Sequence, residues 1–251
     1  MIRAILCGCS GTMGKTIAAA AEKDPNINIV CGIDRRPIDA DFPVVDDFSK
    51  VECAADVIID FSHPSLLDGE LVYCQAHGLP VLLATTGYDS AQIQKINQAA
   101  EKIAIFRTAN MSLGINLMDA LCRQAAKLLG DGFDIEIIEK HHNQKVDAPS
   151  GTALMLADGI NEATGKDYTY QFDRHAKRQK RDPKEIGISS IRGGSIVGEH
   201  TVLFVGSGEM LEIKHTAFSK DVFAVGALKA AAWIADKPAG MYDMKNLIEK
   251  N

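Results

Sequence analysis

The sequence predicts an α/β fold, in which a doubly wound parallel sheet is followed by a second region of α+β type. Two observations support this prediction. Apolar strand-like runs alternate with helical segments up to about residue 112, as in parallel sheets covered by helices on both faces. Three β-type runs between residues 186 and 216 then follow without long helices between them, which indicates an antiparallel or mixed sheet. The length of 251 residues suits one large domain or two small ones.

The individual elements are predicted from apolar runs and from the residues that interrupt them. Ile2–Cys7 is a short apolar run typical of a buried strand, and the helix at 12–23 is stopped by Asp24-Pro25. In the first region, the other predicted strands are 28–33, 56–61, 80–84 and 103–107, and the other helices are 64–77 and 89–100. In the second region, the predicted helices are 112–129 and 150–163, and the strands are 133–140, 186–192, 199–206 and 210–216. A helix at 221–235 and a short helix near 244–250 are predicted last.

Composition and charge argue against several classes of protein. Hydrophobic residues make up 46% and charged residues 24% of the chain, as in ordinary globular domains, and the formal net charge is -6. Nucleic-acid binding is not expected, because such proteins usually carry a basic excess. A membrane partner is not expected either, since no apolar run reaches the length of a membrane span. The first residues lack the features of a signal peptide, so we expect a cytoplasmic location.

The six cysteines are expected to be small core residues. None of them forms a C-x-x-C pair, whereas zinc sites and disulfide frameworks require paired spacings. Free thiols also fit a reducing cytoplasm. We therefore expect no metal site.

A glycine-rich turn between the first predicted strand and helix points to a dinucleotide site. Residues Gly8 to Gly14 read G-x-x-G-x-x-G, and Asp34 ends the second predicted strand twenty residues beyond Gly14. Glycines allow the backbone to approach a pyrophosphate, and an acid at this distance can hold the adenosine ribose. The alternative is a tight turn with an unrelated surface aspartate. The order of strand, glycines, helix, strand and acid favours a Rossmann-type site.

Residues after the second, fourth and fifth strands extend this prediction. Arg35 and Arg36 can pair with a 2′-phosphate, although adjacent surface arginines are also common without a ligand. The segments 85–87 and 109–110 follow the fourth and fifth strands, where ligands of doubly wound sheets bind; otherwise they are simply turn residues. Since Asp34 favours NADH and Arg35 favours NADPH, we expect both cofactors to work.

The segment from Glu139 to Thr152 has the densest group of chemically active side chains in the chain. His141 and His142 are adjacent, and Lys145 follows three residues later. The alternatives are a metal site, a proton-transfer site and a polar loop without a function. Neighbouring loop histidines rarely face one ion, and a histidine beside a lysine suits proton transfer next to a carboxylate. Ser150, Gly151 and Thr152 begin a predicted helix, whose N–H groups can hold an acid, so a small di-acid substrate is predicted.

A basic segment, 173–185, contains six Lys or Arg residues. It is either a solvated surface loop or a cationic flap over an anionic ligand. The sequence leaves both interpretations open.

The run H-H-N-Q-K-V-D-A-P-S-G-T-A, which starts at His141, resembles the signature of the dihydrodipicolinate reductases, also called 4-hydroxy-tetrahydrodipicolinate reductases. Other segments are similar to the same family: the glycine turn 8–14, D-F-S at 60–62, T-T-G at 85–87, A-N-M-S at 109–112 and V-G-E-H-T at 197–201. The resemblance extends nearly from end to end.

The resemblance implies a reductase of the diaminopimelate route to lysine that uses NADH or NADPH, acts on a small di-acid and works as a homotetramer. It also implies the domain organisation. A dinucleotide-binding domain comprises residues 1–112 and 220–251, and a substrate-binding and oligomerisation domain of α+β type is inserted at 113–219. Apolar residues of the runs between 186 and 216 predict an open sheet face, which agrees with an oligomer.

The resemblance also implies roles for individual residues. His141 is similar to the acid/base residue and Lys145 to its partner, while His142, Gly151 and Thr152 match substrate-binding positions. Asp34 and Arg35 match the positions that meet the adenosine ribose. The other implied cofactor-binding residues are Gly8, Cys9, Ser10, Gly11, Thr12, Met13, Ala84, Thr85, Thr86, Thr108, Ala109, Asn110 and Met111.

The chain departs from the family pattern at two of these positions. Ala84 stands where a glycine is frequent, and Asp34 stands where some members carry Glu. Two other functions are compatible with the sequence. One is a two-domain dehydrogenase for another amino or hydroxy acid, and the other is a nucleotide-sensing protein without turnover.

Overall fold

The computed structural model describes residues 1–36, 38–108, 110–165, 168–175 and 177–249. They form two compact units. The first unit comprises Met1–Leu113 and Lys220–Asn251, and the second comprises Gly114–Ser219. These boundaries lie within one residue of the predicted domain limits at 112/113 and 219/220. The functions attributed to the two domains remain predictions.

The strands are numbered along the described chain. They are β1 (Ile2–Cys7), β2 (Ile27–Ile33), β3 (Val44–Val45), β4 (Val57–Asp60), β5 (Val81–Leu83), β6 (Ala104–Arg107), β7 (Asp134–His141), β8 (Thr169–Gln171), β9 (Glu185–Arg192), β10 (Gly198–Val205), β11 (Met210–Ala217) and β12 (Gly240–Tyr242). The strands β3, β8 and β12 were not predicted, because two or three residues are too few to show a periodicity.

The helices are α1 (Thr12–Ala21), α2 (Leu67–His77), α3 (Ser90–Ala99), α4 (Leu113–Leu129), α5 (Gly151–Thr164), α6 (Asp221–Ile234) and α7 (Met244–Glu249). Each predicted helix and strand is confirmed, with ends within two residues of the predicted ones, except that the first turn after His63 is a 3₁₀ helix, Pro64–Leu66. Lys250, the predicted end of the last helix, lies outside the described residues. No helix in the described ranges is both long and apolar enough to cross a membrane.

The first unit is built on a parallel sheet. Its strand order is β12-β6-β5-β4-β1-β2-β3, and each neighbouring pair is parallel. Side chains alternate across β1: Leu6 packs with α1 and α6 in one apolar cluster, and Ile5 packs with α2 and α3 in another. The sheet is therefore covered on both faces, and the predicted doubly wound fold is confirmed. The carboxyl ends of its strands form the edge at which ligands of such sheets bind.

The second unit contains a mixed sheet in the order β11-β10-β7-β9-β8. Strand β10 is antiparallel to β7 and β11, whereas β9 is parallel to β7 and β8. One face packs against α4 and α5 around Ile137, Cys122 and Ile160. The opposite face contains exposed apolar side chains, with Met210 57% and Ile191 46% exposed. The predicted α+β region with a mixed sheet is confirmed.

Candidate active site

The glycine turn of the first unit has a backbone that side chains would block. Gly8 has a φ of 78°, in the left-handed region, and a Cβ there would lie 2.5 Å from the carbonyl oxygen of Phe61. A Cβ on Gly14 would lie 2.2 Å from the carbonyl oxygen of Gly8. Helix α1 begins at Thr12, within this turn. Its first N–H groups lack partners within the helix, so the turn fits a bound pyrophosphate.

Asp34 is tied to this turn through both carboxylate oxygens. Oδ2 accepts a hydrogen bond from the amide of Ser10 at 2.9 Å, and Oδ1 accepts one from the amide of Arg36 at 3.0 Å. Burial alone would raise the pKa of Asp34, but the bonds from Arg36 and Ser10 lower it below its ordinary value. Asp34 is therefore an ionised acceptor, as a ribose site requires. The exposed Arg35 donates to the hydroxyl of Ser65 at 3.3 Å.

A cleft at the carboxyl ends of β1, β4, β5 and β6 brings six of the predicted cofactor residues together. Its lining consists of Thr12, Met13, Phe61, Ala84, Thr108, Asn110, Met111, Lys220 and Phe223. Sequence reasoning missed Lys220, which directly precedes α6, and Phe223, which lies in the first turn of α6. Both are far from the glycine turn in the sequence. Nothing local in the sequence marks them as neighbours of the turn.

The other predicted cofactor residues lie outside this lining. The side chain of Cys9 is buried, and a Cβ on Gly32 would lie 2.7 Å from its sulfur, so only the backbone of Cys9 can face a ligand. Thr85 is buried, Thr86 is exposed, and Gly11 caps the N-terminus of α1. Ala109 lies outside the described residues.

In the second unit, His141 is held by a buried carboxylate. Glu139 and His141 are alternate residues of β7 and therefore lie on the same face. The Nδ1 atom of His141 is 2.6 Å from Oε2 of Glu139. Glu139 also accepts two hydrogen bonds from the Arg192 guanidinium, at 2.8 and 2.7 Å, and one from the amide of Ser150 at 3.1 Å.

The ionisation of these groups follows from burial and from their partners. Burial alone would raise the pKa of Glu139, but the bonds from Arg192, Ser190 and His141 lower it to about 2. Burial lowers the pKa of His141, and the charges of Lys145 and Arg192 add to this, while Glu139 opposes it. Glu139 is thus an anion near neutral pH, which fixes the proton of His141 on Nδ1 and directs Nε2 away from Glu139.

The imidazole ring of His200 packs against that of His141. The two rings meet edge to face, with centroids 5.1 Å apart. His200 Nε2 lies 2.9 Å from the hydroxyl of Ser150, which caps the N-terminus of α5 by accepting a bond from the amide of Ala153. Burial, and next the charge of His141, lowers the pKa of His200 to about 4, so this ring is neutral near pH 7. His200 therefore packs as an uncharged support.

The Nε2 edge of His141 faces a glycine. A Cβ on Gly198, the first residue of β10, would lie only 3.2 Å from Nε2. Any larger residue would crowd this atom. Gly198 therefore keeps room around the nitrogen that Glu139 leaves available.

The remaining predicted residues surround the N-terminus of α5. Lys145 Nζ is 2.7 Å from Oδ1 of Asp147, and the Lys145 amide donates to the carbonyl of His142 at 3.2 Å. Gly151 and Thr152 form the first turn of α5, and the Gly151 amide is the smallest of the causes that act on the pKa of Asp147. The Lys145 bond, followed by weaker contributions that include this amide, lowers the pKa of Asp147. Lys145 and the helix N-terminus thus already converge on a carboxylate.

Sequence reasoning missed the residues that hold His141. Glu139 could have been found, because strand alternation in the run D-I-E-I-I-E-K-H places it on the face of His141. Arg192 and His200 come from the neighbouring strands β9 and β10, and only the register of the sheet reveals their positions.

The fold of the first unit, its glycine turn and the histidine–lysine segment of the second unit are those of a nicotinamide-dependent oxidoreductase. Residues 2–111 match the family model described as dihydrodipicolinate reductase, N-terminus, and residues 114–248 match the one described as dihydrodipicolinate reductase, C-terminus. The chain belongs to the dihydrodipicolinate reductase family.

Relatives and a solved structure agree with this assignment. The 4-hydroxy-tetrahydrodipicolinate reductase of Caldanaerobacter subterraneus subsp. tengcongensis is 46% identical over 250 residues, with 100% of this chain and 99% of that protein covered. The protein of the same name from Clostridium tetani is 50% identical over 249 residues, with 97% and 96% covered. The structure of dipicolinate-bound dihydrodipicolinate reductase from Paenisporosarcina sp. TG-14 has a TM-score of 0.83 at 25% identity and covers 98% of this chain and 99% of that one.

Proposed function

We propose that this chain catalyses the NAD(P)H-dependent reduction of 4-hydroxy-tetrahydrodipicolinate to tetrahydrodipicolinate, with the 4-hydroxyl group lost as water, in the diaminopimelate route to lysine. The names of the relatives at 46% and 50% identity support the substrate. The observation that carries the proposal is the fixed His141, held on the buried Glu139 in the segment that also contains Lys145.

His141 is the proposed proton donor. Glu139 holds Nδ1, so the proton to be transferred is the one on Nε2, beside Gly198. Part of the lowered pKa of His141 comes from the charge of Lys145. A bound di-acid would add negative charge beside His141 and Lys145, which would raise this pKa and favour the protonated ring. Binding of a di-acid would thus favour the protonated form of His141, from which the reaction takes its proton.

Lys145 and the first turn of α5 are the proposed carboxylate site. Lys145 already pairs with the carboxylate of Asp147, and the Gly151 amide helps to lower the pKa of that carboxylate, which supports their ability to hold one from a substrate. His142, Gly151 and Thr152 are proposed to bind the same molecule, since they border Lys145 in the loop and the first helical turn. Positively charged groups and helix N–H groups are the usual partners of carboxylates.

The first unit is proposed to hold the nicotinamide nucleotide, which supplies the hydride when bound. The turn between Gly8 and Gly14 leaves no room for side chains, as close approach of a pyrophosphate requires. The ionised Asp34 can accept ribose hydroxyls, and Arg35 can offer donors to a 2′-phosphate. We infer that NADH and NADPH both serve, with specificity constants that differ by less than about a hundredfold, or roughly 2.7 kcal/mol.

We also infer a cytoplasmic location and a homotetramer. The six cysteines are free, which fits a reducing compartment. The exposed apolar side chains on one face of the second sheet support association of several copies.

The test is an absorbance assay with 4-hydroxy-tetrahydrodipicolinate and each cofactor, applied to the wild type and to His141→Gln. The variant should lose about 10² to 10⁴ in turnover, the usual contribution of a positioned acid, and should bind NADH as the wild type does. His77→Gln, at the end of α2 in the other unit, is the matched control. Near wild-type turnover of His141→Gln would remove His141 from the proposal. Turnover on a different amino or hydroxy acid alone would favour another dehydrogenase, and cofactor binding without turnover would favour a nucleotide sensor.

A further inference from the structure

An acidic side chain lies in the apolar stripe of α2. Leu67, Glu70, Leu71 and Cys74 are the buried residues of this helix, spaced three and four apart as on one helical face. Glu70 is fully buried, yet within the described part of the chain neither of its carboxyl oxygens has a hydrogen-bond partner. A buried carboxylate without partners is strongly disfavoured, so a proton or a cation must satisfy Glu70.

The neighbours of Glu70 come from the edge of the sheet that carries the glycine turn. A carboxyl oxygen of Asp60, at the end of β4, and the sulfur of Cys7, at the end of β1, lie within 4.8 Å of a carboxyl oxygen of Glu70 and of each other. The charge of Glu70 also contributes to the raised pKa values of Cys74, on the same helix, and of Tyr88, after β5. These named neighbours are acids or weak acids, and a charged Glu70 would be repelled by Asp60.

Asp60 and Glu70 differ in their partners. Asp60 accepts hydrogen bonds from the amide and hydroxyl of Ser62 and from the hydroxyl of Tyr88. Such donors favour a charged carboxylate, and they act against the burial that raises the pKa of Asp60. Burial, and next the charge of Asp60, raises the pKa of Glu70 well above its ordinary value, with only the Cys7 thiol acting in the other direction. If Asp60 and Glu70 share one proton, that proton therefore resides on Glu70, and Asp60 is the charged member of the pair.

We propose that Glu70 is a neutral carboxylic acid that donates a hydrogen bond to the Asp60 carboxylate, and that this bond positions the segment 60–62 beneath the glycine turn. The segment contacts that turn directly, because the carbonyl oxygen of Phe61 would lie 2.5 Å from a Cβ on Gly8. The Phe61 amide also donates to the carbonyl of Cys7 at 3.1 Å, and its side chain lines the cleft. Glu70 thus acts on the proposed cofactor site through Asp60, as a positioning residue that touches no ligand.

The ionisation of Glu70 can be measured without any ligand or substrate. At neutral pH, the infrared spectrum of the wild type should contain the carbonyl band of a protonated carboxylic acid, shifted in D₂O. The band should be absent from Glu70→Gln and present in Glu101→Gln, which alters an exposed glutamate beyond α3. A wild type without the band would overturn the proposal. So would one metal ion per chain that is lost in Glu70→Gln, because a cation would then satisfy the carboxylate.

The positioning role is tested by NADH affinity, measured by fluorescence titration. Glu70→Gln still offers a donor to Asp60 and should bind NADH within about threefold of the wild type. Glu70→Leu offers none and should bind about tenfold more weakly, the usual effect of one lost hydrogen bond. Equal affinities of the two variants would refute the positioning role. The role in binding rests on the proposed function: if the wild type binds no nucleotide, that function fails, while the infrared band still decides the state of Glu70.

Discussion

Replacing Glu139 by glutamine should destabilise the protein by an amount that depends on pH. The carboxylate is fully buried and holds Arg192, His141 and the amide of Ser150. Its pKa falls from an ordinary value of 4.5 to about 2. At about 1.36 kcal/mol for each tenfold change in proton affinity, this difference corresponds to about 3 kcal/mol of folding free energy near pH 7. Glu139→Gln removes the charge and leaves the Arg192 guanidinium without its carboxylate.

The sign of the pH dependence follows from the direction of this change. Because the pKa of Glu139 is lower in the folded protein, its contribution is complete above about pH 4.5 and is lost as the pH falls toward 2. The glutamine does not titrate. The difference in unfolding free energy between the wild type and Glu139→Gln should therefore be greatest near neutrality and should fall to roughly half or less at pH 3.

The measurement is urea unfolding of both proteins at several pH values, followed by circular dichroism. Glu209→Gln, in the exposed turn between β10 and β11, is the matched control and should change stability by less than about 0.5 kcal/mol. A loss below about 1 kcal/mol at pH 7, or a loss that is the same at pH 7 and pH 3, would refute the view of Glu139 as the buried anion of this site.

Four further outcomes are expected. Lys145→Ala should reduce both turnover and affinity for the di-acid, measured as kcat and KM, with NADH affinity unchanged; an unchanged KM would exclude a carboxylate contact. Arg35→Ala should weaken NADPH and spare NADH in paired initial-rate series, and added salt should weaken NADPH more; equal losses would show that Arg35 does not read the 2′ position. Gly198→Ala should lower turnover through the contact with His141 Nε2, while NADH titration stays unchanged; full activity would show that this edge is not used. Light scattering at micromolar protein should give the mass of four chains, and the mass of one chain would exclude the oligomer.

Much of the fold could be predicted from local pattern. The alternation of apolar runs and helical segments marks the parallel sheet, and the glycines of the turn mark the place where β1 meets α1. The short strands β3, β8 and β12 gave no usable signal, since they are fixed by pairing with β2, β9 and β6. Their formation depends on the completed sheet, which no local window contains.

The candidate site was predictable only where its residues are close in the sequence. His141, Lys145 and the start of α5 fall in one segment, and strand alternation could have added Glu139. Arg192 reaches Glu139 because β9 pairs with β7 in a register that only tertiary packing determines. Glu70 illustrates a different limit. A glutamate inside an apolar stripe contradicts the usual pattern, and its meaning becomes visible only when Asp60 is found beside it.

The ion pair between Lys145 and Asp147 changes what a binding constant at this site would report. Asp147 Oδ1 lies 2.7 Å from Lys145 Nζ, and the Gly151 amide also favours the charged form of Asp147; Lys145 and this amide are the two groups proposed to receive the substrate. A carboxylate ligand at Lys145 would enter by exchange, so its measured affinity would be the difference between two similar interactions. Weak inhibition by small mono-acids would then be consistent with a strongly attractive site. The loop 141–150 would thus contain a carboxylate that competes with the substrate, and selectivity for a di-acid would come from the second carboxylate, which Asp147 does not imitate.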